Sequence, residues 1–344
     1  MRGEFARPAT LADVANRAGV SAATVSRVLN RSTLVARGTR ERVEKAIHEL
    51  QYVVNGHARA LAAAASEVIG VVVGDMSDPF FAHIVAGVQD QTFLAGQLAL
   101  VCSTGSDPMR EIGQLEHLRR LRADGVILVG GSVRDAGHQR ELTRLLGGFH
   151  NRGARIVLCG RPPIPDLPGA CAITFDNTGG TLRLMEHLKA LGHTRIGYVT
   201  GPPLRSTSTE RLHGYQIAAP GHDPSLIEQG TFTRESGWAA SRKLLLRNDI
   251  TAIVAANDLM AAGALAAVRS AGLSVPESIS VAGFDDIEFC QDTHPPLTTV
   301  RLPLREAGAM AGRIACGLDA APPSGVIRLG ADLVVRATTS RVKA

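Results

Sequence analysis

The chain has 344 residues, of which 45% are hydrophobic, and carries 37 Lys and Arg side chains against 32 Asp and Glu. This length allows two or three domains with their own cores, and the composition excludes disordered, collagen-like and disulfide-scaffold proteins. The first 61 residues hold ten basic and five acidic side chains, whereas the rest of the chain holds 27 of each. The net charge of +5 therefore lies on a short N-terminal segment, which indicates an acidic partner such as nucleic acid.

The five cysteines are scattered along the chain, and none belongs to a C-x-x-C pair. This spacing argues against a disulfide framework and against a thiolate metal site, and it favours a reducing compartment. The N-terminus lacks the apolar core of a signal peptide, and no apolar run approaches the roughly 18 residues of a membrane span. We therefore expect a cytoplasmic protein without a membrane partner.

The first segment has the pattern of short helices. Thr10 precedes apolar residues at helical spacing and is a candidate N-cap, and Gly19 provides a stop. Ser21 begins a second apolar stripe, and a third stripe follows Thr39. Two helices joined by a tight glycine-containing turn, with a third helix closing the core, form a helix-turn-helix unit that binds DNA.

From residue 68 onward, short apolar runs alternate with amphipathic stretches such as 84–94 and 112–121. The runs predict buried parallel strands, and the amphipathic stretches predict crossover helices. The predicted strands are 68–73, 98–102, 126–129, 156–159, 172–175, 196–199, 231–233, 253–256, 281–284 and 333–335. A Pro/Gly-rich break at 201–204 divides them into two α/β units, so we expect two lobes with a ligand cleft beyond the strand ends.

Residues 10–30 read T-L-A-D-V-A-N-R-A-G-V-S-A-A-T-V-S-R-V-L-N, which is the most specific signal in the chain. The segment closely resembles the helix-turn-helix of the LacI/GalR family of bacterial transcription regulators. The resemblance continues through Thr39-Arg40, 50–52 and Asn55 into the body, and it covers nearly all of the chain. It implies an all-α three-helix helix-turn-helix head with a hinge helix. An α/β two-lobed, periplasmic-binding-protein-like body with two parallel-sheet, Rossmann-like subdomains then follows.

The resemblance also implies domain boundaries. We expect the helix-turn-helix domain in residues 1–54 and the hinge helix or linker in 55–66. Residues 67–344 would form the effector-binding and dimerisation domain. Within it, the N-subdomain would take 67–191 and 302–327, and the C-subdomain would take 192–301 and 328–344. The helix that contains Tyr215 is shorter than the family pattern, because Pro220-Gly221 follows directly after Ala219.

The predicted recognition helix begins at Ser21, and its first residues point at base edges in the major groove. Arg27 is the expected base reader because a guanidinium can hold a guanine edge through two hydrogen bonds. Ala22 and Ala23 offer little more than methyl contact with thymine. The predicted DNA-binding residues are Thr10, Ser21, Ala22, Ala23, Thr24, Ser26, Arg27, Asn30, Arg40, Asn55, Ala58 and Leu61. Thr24, Asn30 and Arg40 are assigned to phosphates, with helix capping or solvation as the alternative for Thr24, Ser26 and Asn30.

Residues 55–62, N-G-H-A-R-A-L-A, match the hinge helix of the family. The resemblance implies that this segment folds on operator DNA and inserts Leu61 into the minor groove. Such a wedge costs a few kcal/mol of base unstacking, which contacts with the bent duplex offset. The alternative is an alanine-rich linker with Leu61 packed on the body.

A cleft for a polyol needs aromatic faces for C–H surfaces, and charged or amide groups for hydroxyls. By resemblance, the effector-binding residues are Phe80, Phe81, Asp176, Arg205, Thr207, Arg211, Phe232, Asn257 and Asp285. Each has a structural alternative. Asn257 and Asp285 could cap helices, Phe80 and Phe232 could belong to the core, and Asp176 could lie in a surface turn.

The chain contains no G-x-x-x-x-G-K-[ST], H-E-x-x-H or G-x-S-x-G motif. We expect no catalytic residue, no metal and no cofactor. The main hypothesis is a transcription repressor that binds palindromic operator DNA as a homodimer and responds to a sugar or sugar derivative. The dimer is expected because no heptad tail for a tetramer follows the strand at 333–335. The alternatives are a sugar-binding receptor and an α/β enzyme with Asp176 and Asp285 as its acid/base pair.

Overall fold

The computed structural model describes residues 7, 9–29, 35–52, 66–165, 167 and 169–342. The chain divides into two compact units, Met1–Ser66 and Glu67–Ala344. In the described residues, the first unit is helical and the second alternates strands and helices. No helix among these residues is long and apolar enough to cross a membrane.

The first unit contains α1 (Leu11–Ala18), α2 (Ala22–Leu29) and α3 (Arg37–Glu49). Thr10 and Asp13 form a capping box at the start of α1, and Gly19 ends it in the left-handed conformation with φ 64°. The third helix begins at Arg37, two residues before the predicted Thr39. The core of the first unit consists of small and β-branched side chains, namely Val14, Ala15, Ala18, Val25, Val28, Val43 and Ala46.

The second unit contains twelve strands in its described residues. They are β1 (Val68–Val73), β2 (Leu98–Ser103), β3 (Gly125–Val129), β4 (Arg155–Cys159), β5 (Ala170–Phe175), β6 (Ile196–Thr200), β7 (Ile227–Gln229), β8 (Ala252–Ala255), β9 (Ser280–Ala282), β10 (Thr299–Arg301), β11 (Val326–Leu329) and β12 (Asp332–Val334). Its helices are α4 (Pro79–Leu94), α5 (Pro108–Arg120), α6 (Ala136–His150), α7 (Asn177–Ala190), α8 (Ser206–Ala218), α9 (Arg234–Leu245), α10 (Asp258–Ser270) and α11 (Leu304–Cys316).

The predicted strand at 231–233 is wrong. The strand of this region is β7, which ends at Gln229, and Phe232 has φ 66°, a left-handed conformation that no strand residue adopts. The other predicted runs coincide with strands of the structure, although several bounds move by one or two residues. Strands β10 and β11 were not predicted.

The first lobe consists of a six-stranded parallel sheet in the order β11-β5-β4-β3-β1-β2, together with α4, α5, α6 and α11. In the middle of this sheet, Val71 lies opposite Val101 on one side and Ile127 on the other. Helices α4 and α11 pack closely because a Cβ at Gly87 or Gly308 would collide with the backbone of the other helix. The close contact between α4 and α11 thus fixes the distance between these two helices.

The second lobe consists of the parallel sheet β7-β6-β8-β9 with α7, α8, α9 and α10. The antiparallel pair β10-β12 adjoins it through a bridge between Ala282 and Thr298. The expected boundary at 191/192 assigns α7 to the first lobe, but α7 packs on α8, β10 and β12 of the second. The expected boundary at 327/328 likewise divides β11, which pairs with β5 through Leu329. The chain therefore crosses between lobes near Asp176, between β10 and α11, and between β11 and β12.

Candidate functional site

A cavity of about 540 Å³ lies between the two lobes, beyond the carboxyl ends of their strands. Its volume is within the usual range for small-molecule sites. Eight of the nine predicted effector-binding residues line it, namely Phe80, Phe81, Arg205, Thr207, Arg211, Phe232, Asn257 and Asp285. The two phenylalanines at 80 and 81 come from the first lobe, and the other six come from the second.

Arg211 is held on all sides at the second-lobe wall of the cavity. Its Nε donates to Asn177 Oδ1 at 2.9 Å, its Nη1 donates to the carbonyl of Ala256, and its Nη2 donates to Asp285 Oδ1 at 2.9 Å. The guanidinium carbon lies 3.9 Å from the centroid of the Phe284 ring. The remaining N–H groups are thereby presented in a fixed orientation, which suits recognition of a ligand oxygen.

Asp285 faces Arg211 from a strained backbone. Its φ of 115° lies outside the regions that L residues ordinarily occupy. Strain of this kind persists only where the surrounding structure imposes it, and it concentrates at functional sites. Burial raises the pKa of Asp285 well above its ordinary value, and the Arg211 guanidinium opposes that rise. Asp285 does not cap a helix in the structure, because the short 3-10 helix that follows it, Glu288–Gln291, has Ile287 at its N-cap position.

Phe81 packs on two glycines at the floor of the cavity. A Cβ at Gly74 or at Gly130 would lie 2.8 Å from the Phe81 ring, so only glycine leaves room for it. Phe80 meets Phe81 edge to face, with ring centroids 5.1 Å apart. The first lobe thus presents an aromatic surface to the cavity.

Phe232 and Asn257 form the opposite wall together. The Nδ2 of Asn257 donates to the carbonyl of Phe232 at 3.2 Å, and its Oδ1 accepts from Met260 N at 3.0 Å. Asn257 therefore caps α10, as its structural alternative anticipated, while it also lines the cavity. This bond holds Phe232 in its left-handed conformation, with the ring beside Gly201.

Asp176 lies away from this cavity, which corrects its predicted role. Its side chain caps α7 by accepting from Gly179 N at 2.9 Å, and it pairs with Arg183 at 2.9 Å. It lines a second cavity of about 510 Å³ beside β11 and the start of α7. A carboxylate that follows a strand and precedes a helix can serve as a cap, and its position in sequence does not decide which use prevails. The predicted acid/base pair of Asp176 and Asp285 is consequently not assembled.

Glu111 and Arg161 are cavity residues that the sequence analysis missed. Arg161 Nη1 donates to Glu111 Oε1 at 3.0 Å, its Nη2 donates to Oε2 at 2.5 Å, and its Nε donates to the Gly130 carbonyl at 2.8 Å. His138 Nε2 lies 3.2 Å from Glu111 Oε1. Burial favours the neutral acid, yet Arg161 and His138 hold the pKa of Glu111 well below its ordinary value. The signal in the sequence was a glutamate in register with Leu115 and Leu118 on the buried face of α5.

Arg205 and its neighbours connect the two lobes across the cavity. Arg205 Nη1 donates to the Gly131 carbonyl at 3.0 Å, and its Nη2 donates to the Ser106 carbonyl at 2.6 Å. Main-chain bonds run beside it, because Ser206 N donates to Ser132 O at 2.9 Å and Arg134 N donates to Leu204 O at 2.8 Å. Thr207 is buried next to Gly131 in the same contact. One wall of the cavity is thus closed by backbone of both lobes.

The first unit presents the predicted DNA-binding surface on α2. Ser21 Oγ accepts from Thr24 N at 3.2 Å and lies 2.9 Å from Thr24 Oγ1, so both hydroxyls take part in capping. Ala22, Ala23 and Arg27 are exposed, and Ser26 and Arg40 are half-buried. Thr10 caps α1. The predicted contacts Asn30, Asn55, Ala58 and Leu61 lie outside the described residues.

Both units of the chain match known protein families. Residues 10–55 match the family described as bacterial regulatory proteins, lacI family, and residues 185–339 match the periplasmic binding protein-like domain. The HTH-type transcriptional regulator DegA of Bacillus subtilis (strain 168) is 34% identical over 339 residues, which are 96% of this chain and 98% of DegA.

Two solved structures resemble nearly the whole chain. The lac repressor dimer bound to operator and the anti-inducer ONPF is 30% identical with a TM-score of 0.82, and the match covers 97% of this chain and 100% of that chain. The CelR–cellobiose complex, a transcriptional regulator, is 33% identical with a TM-score of 0.68, and the match covers 96% and 99%. These relatives are regulators rather than enzymes. The chain belongs to the LacI family of bacterial regulatory proteins and is a helix-turn-helix transcription regulator with a periplasmic-binding-protein-like domain.

Proposed function

We propose that this regulator is a repressor whose affinity for a palindromic operator is controlled by a sugar or sugar derivative bound between the two lobes. The observation that carries the proposal is the cavity between the lobes, with the buried pair of Arg211 and Asp285 on one wall and Phe81 on the other. The relative CelR was solved with cellobiose, which supports a carbohydrate. No catalytic residue and no cofactor are needed for this role.

The cavity has the chemistry that a polyol requires. The rings of Phe81 and Phe232 offer apolar faces for C–H surfaces, and the oriented polar groups of Arg211, Asn257 and Asp285 offer hydrogen bonds to hydroxyls. The ligand would contact both lobes at once. Its binding energy would therefore favour the arrangement of lobes seen here over a more open one, which is the requirement for an effector that shifts a conformational equilibrium.

We assign DNA recognition to α2 of the first unit, with Arg27 as the base reader. Its exposure and the basic composition of residues 1–61 support this assignment. The predicted hinge residues Asn55, Ala58 and Leu61 would transmit the state of the body to the DNA, since folding of a hinge on the operator depends on the spacing of two copies. A protein that acts on the chromosome in this way is expected in the cytoplasm.

A homodimer is the expected assembly, because a two-fold symmetric protein matches a palindromic operator. Three large apolar side chains lie exposed between the end of α4 and the edge strand β2. Phe93 is 82% exposed, Leu94 is 74% exposed and Leu98 is 61% exposed. Adjacent apolar residues with this exposure are typical of an interface. The lac repressor to which this chain is similar was solved as a dimer on operator.

The decisive experiment combines two measurements on the full chain. A thermal-shift screen of sugars and sugar derivatives identifies ligands of the body, and each ligand is then added to a gel-shift assay on labelled DNA from the gene's own upstream region. We expect at least one ligand to raise the melting temperature and to change DNA retention. Arg211→Ala should lose the response to this ligand and, at a temperature at which its circular dichroism melt shows it folded, retain operator affinity. Stabilising ligands that leave DNA retention unchanged would contradict the proposal.

A further inference from the structure

Three arginines that line the cavity are buried or half-buried, and two of them are paired with a carboxylate. Glu111 pairs with Arg161, and Asp285 pairs with Arg211. Arg205 is half-buried, and both of its side-chain hydrogen bonds go to backbone carbonyls, those of Gly131 and Ser106. No carboxylate among the described residues lies within the 4.0 Å ion-pair distance of its guanidinium. The cavity therefore contains a positive charge that the protein does not neutralise by contact.

The surroundings of Arg205 disfavour the charged form of its side chain. Burial lowers the pKa of Arg205, the nearby positive charge of Arg161 lowers it further, and only Glu111 acts in the opposite direction. Glu111 is already engaged by two bonds from Arg161 and by His138. Desolvated cations are normally paired with an anion. A guanidinium has five N–H donors, so Arg205 retains donors beyond the two that bind carbonyls.

Two further carboxylates, those of Asp75 and Asp78, line the same cavity. Asp78 accepts from Phe80 N at 2.9 Å, and the charges of Asp75 and Arg211 act on it. Burial raises the pKa of Asp78, and Asp75 adds to that rise. Carboxylates in such a setting accept hydrogen bonds from ligand hydroxyls. The cavity thus offers carboxylates for ligand hydroxyls at Asp78 and Asp285, and it holds one buried or half-buried arginine without a carboxylate partner, Arg205.

We propose that the effector is an anionic sugar derivative, whose carboxylate or phosphate group binds Arg205 while its hydroxyls bind the region of Asp78, Arg211 and Asp285. This inference rests on the proposed function in one respect, namely that the cavity between the lobes holds the effector. A planar guanidinium binds a carboxylate or a phosphate through two parallel hydrogen bonds. The structure therefore indicates that the ligand is an anion, and the experiment below distinguishes a carboxylate from a phosphate.

The test uses the full chain and matched ligand sets. Each set contains a neutral aldose, its onic acid and its phosphate ester, for example glucose, gluconate and glucose 6-phosphate, with inorganic phosphate at equal ionic strength as the anion alone. Thermal shift and titration calorimetry should show that an anionic member binds at least about tenfold more tightly than its neutral partner. Whether the onic acid or the ester binds identifies the anion. Binding of inorganic phosphate as tight as that of the best sugar anion would overturn the proposal.

Variants of Arg205 separate its charge from its contacts with the first lobe. Arg205→Gln keeps a donor for the carbonyls and removes the charge, so it should weaken binding of the anionic ligand at least about tenfold more than it weakens binding of the neutral sugar. Arg205→Lys keeps the charge without the planar fork and should restore part of the loss. Arg140→Gln, which removes an exposed arginine from α6, is the control for net charge and should change neither affinity. Circular dichroism melts of each variant show whether it is folded.

The outcomes distinguish this inference from the proposed function. The proposal of an anionic ligand is wrong if neutral sugars bind best and Arg205→Gln binds them unchanged. It is also wrong if no anionic member of a set binds. Neither conclusion depends on the DNA assay. If an anionic sugar binds through Arg205 but operator retention does not respond, the charge assignment stands and the repressor proposal fails.

Discussion

The guanidinium of Arg211 and the carboxylate of Asp285 meet at 2.9 Å, and their side chains are only 4% and 5% exposed. The two residues are brought together from α8 and from the loop after β9. A pair that is desolvated to this degree contributes little net stability, but removing one partner leaves the other as an uncompensated buried charge. Substitution here therefore acts on folding as well as on ligand binding.

We predict that Asp285→Ala lowers the free energy of unfolding by about 3 kcal/mol, because Arg211 remains buried without its partner. Urea denaturation followed by circular dichroism measures this loss. The matched control is Glu141→Ala, which breaks an exposed pair with Arg144 and should cost far less than the loss of Asp285. Similar losses in both variants would show that the buried pair has no special role.

Gly130→Ala should destabilise the body and weaken ligand binding together. The new Cβ would lie 2.8 Å from the Phe81 ring, and the φ of 87° at this position strains any L side chain. Gly147→Ala is the control, because its Cβ meets nothing within 4 Å and alanine is the better helix former inside α6. Thermal melts should show a lower melting temperature for the first variant and an equal or higher one for the second. The opposite order would contradict this account of the floor of the cavity.

Stability should depend on pH through Asp258, which is fully buried and accepts from Thr299 Oγ1 at 2.6 Å and from Ile287 N at 3.0 Å. Burial raises its pKa to about 7, and the charge of Asp286 adds to the rise. The folded state therefore keeps a proton that the unfolded chain has already lost. The contribution of Asp258 to stability is full below about pH 4 and is lost as the pH rises to about 7.

Asp258→Asn should remove this part of the pH dependence, because an amide can still accept from Ile287 N and donate to the Thr299 hydroxyl. Urea denaturation of both proteins at about pH 5 and about pH 8 provides the comparison. The wild type should lose more unfolding free energy between the two pH values than the variant does. Equal losses would mean that Asp258 does not titrate in this range. Cys290, Asp285 and Asp286 act on Asp258 or titrate beside it, so only the difference between the two proteins is informative.

Arg27→Ala should relax base preference at one operator position in each half-site, by about 1–3 kcal/mol. Binding-site selection on randomised DNA measures this preference. Arg42→Ala removes another exposed charge, from α3, and serves as the control. It should reduce affinity for all sequences without changing the selected base, since a lost phosphate contact is independent of sequence. An unchanged selection by Arg27→Ala would exclude Arg27 as a base reader.

Phe93→Asp should convert a dimer into a monomer, because it places a charge in the exposed apolar patch at the end of α4. Sedimentation velocity measures the change, and operator affinity should fall with it. Leu246→Asp is the control, because Leu246 is 79% exposed at the end of α9 in the second lobe. A dimer that survives Phe93→Asp would place the interface elsewhere.

Features encoded within a few consecutive residues could be predicted from the sequence. Thr10 and Gly19 were predicted to begin and end α1, and they do so in the structure, where Asp13 completes a capping box with Thr10. The long apolar strands were found for the same reason. The strand predicted around Phe232 failed because the conformation of that residue is imposed by Asn257, which lies 25 residues further along the chain.

Features that depend on the meeting of distant elements could not be predicted. Glu111 and Arg161 are 50 residues apart, and the pattern of α5 does not reveal which cation reaches its buried carboxylate. The assignment of α7 to the second lobe follows from its packing on α8 and β10, because its own apolar stripe would suit either lobe. Asp176 shows the same limit, since capping and ligand contact require the same residue type at the same point of the chain.

The bonds from Ser206 N to Ser132 O and from Arg134 N to Leu204 O join the lobes through main-chain atoms alone. Substitution of side chains leaves such bonds in place, apart from proline at a donor position. During evolution, the residues that line the cavity can therefore be exchanged without loss of the contact that sets the spacing of the lobes. The residues that bind the effector can change while the main-chain bonds between the lobes stay the same. New ligand specificities can therefore arise without a change in how the two lobes are joined.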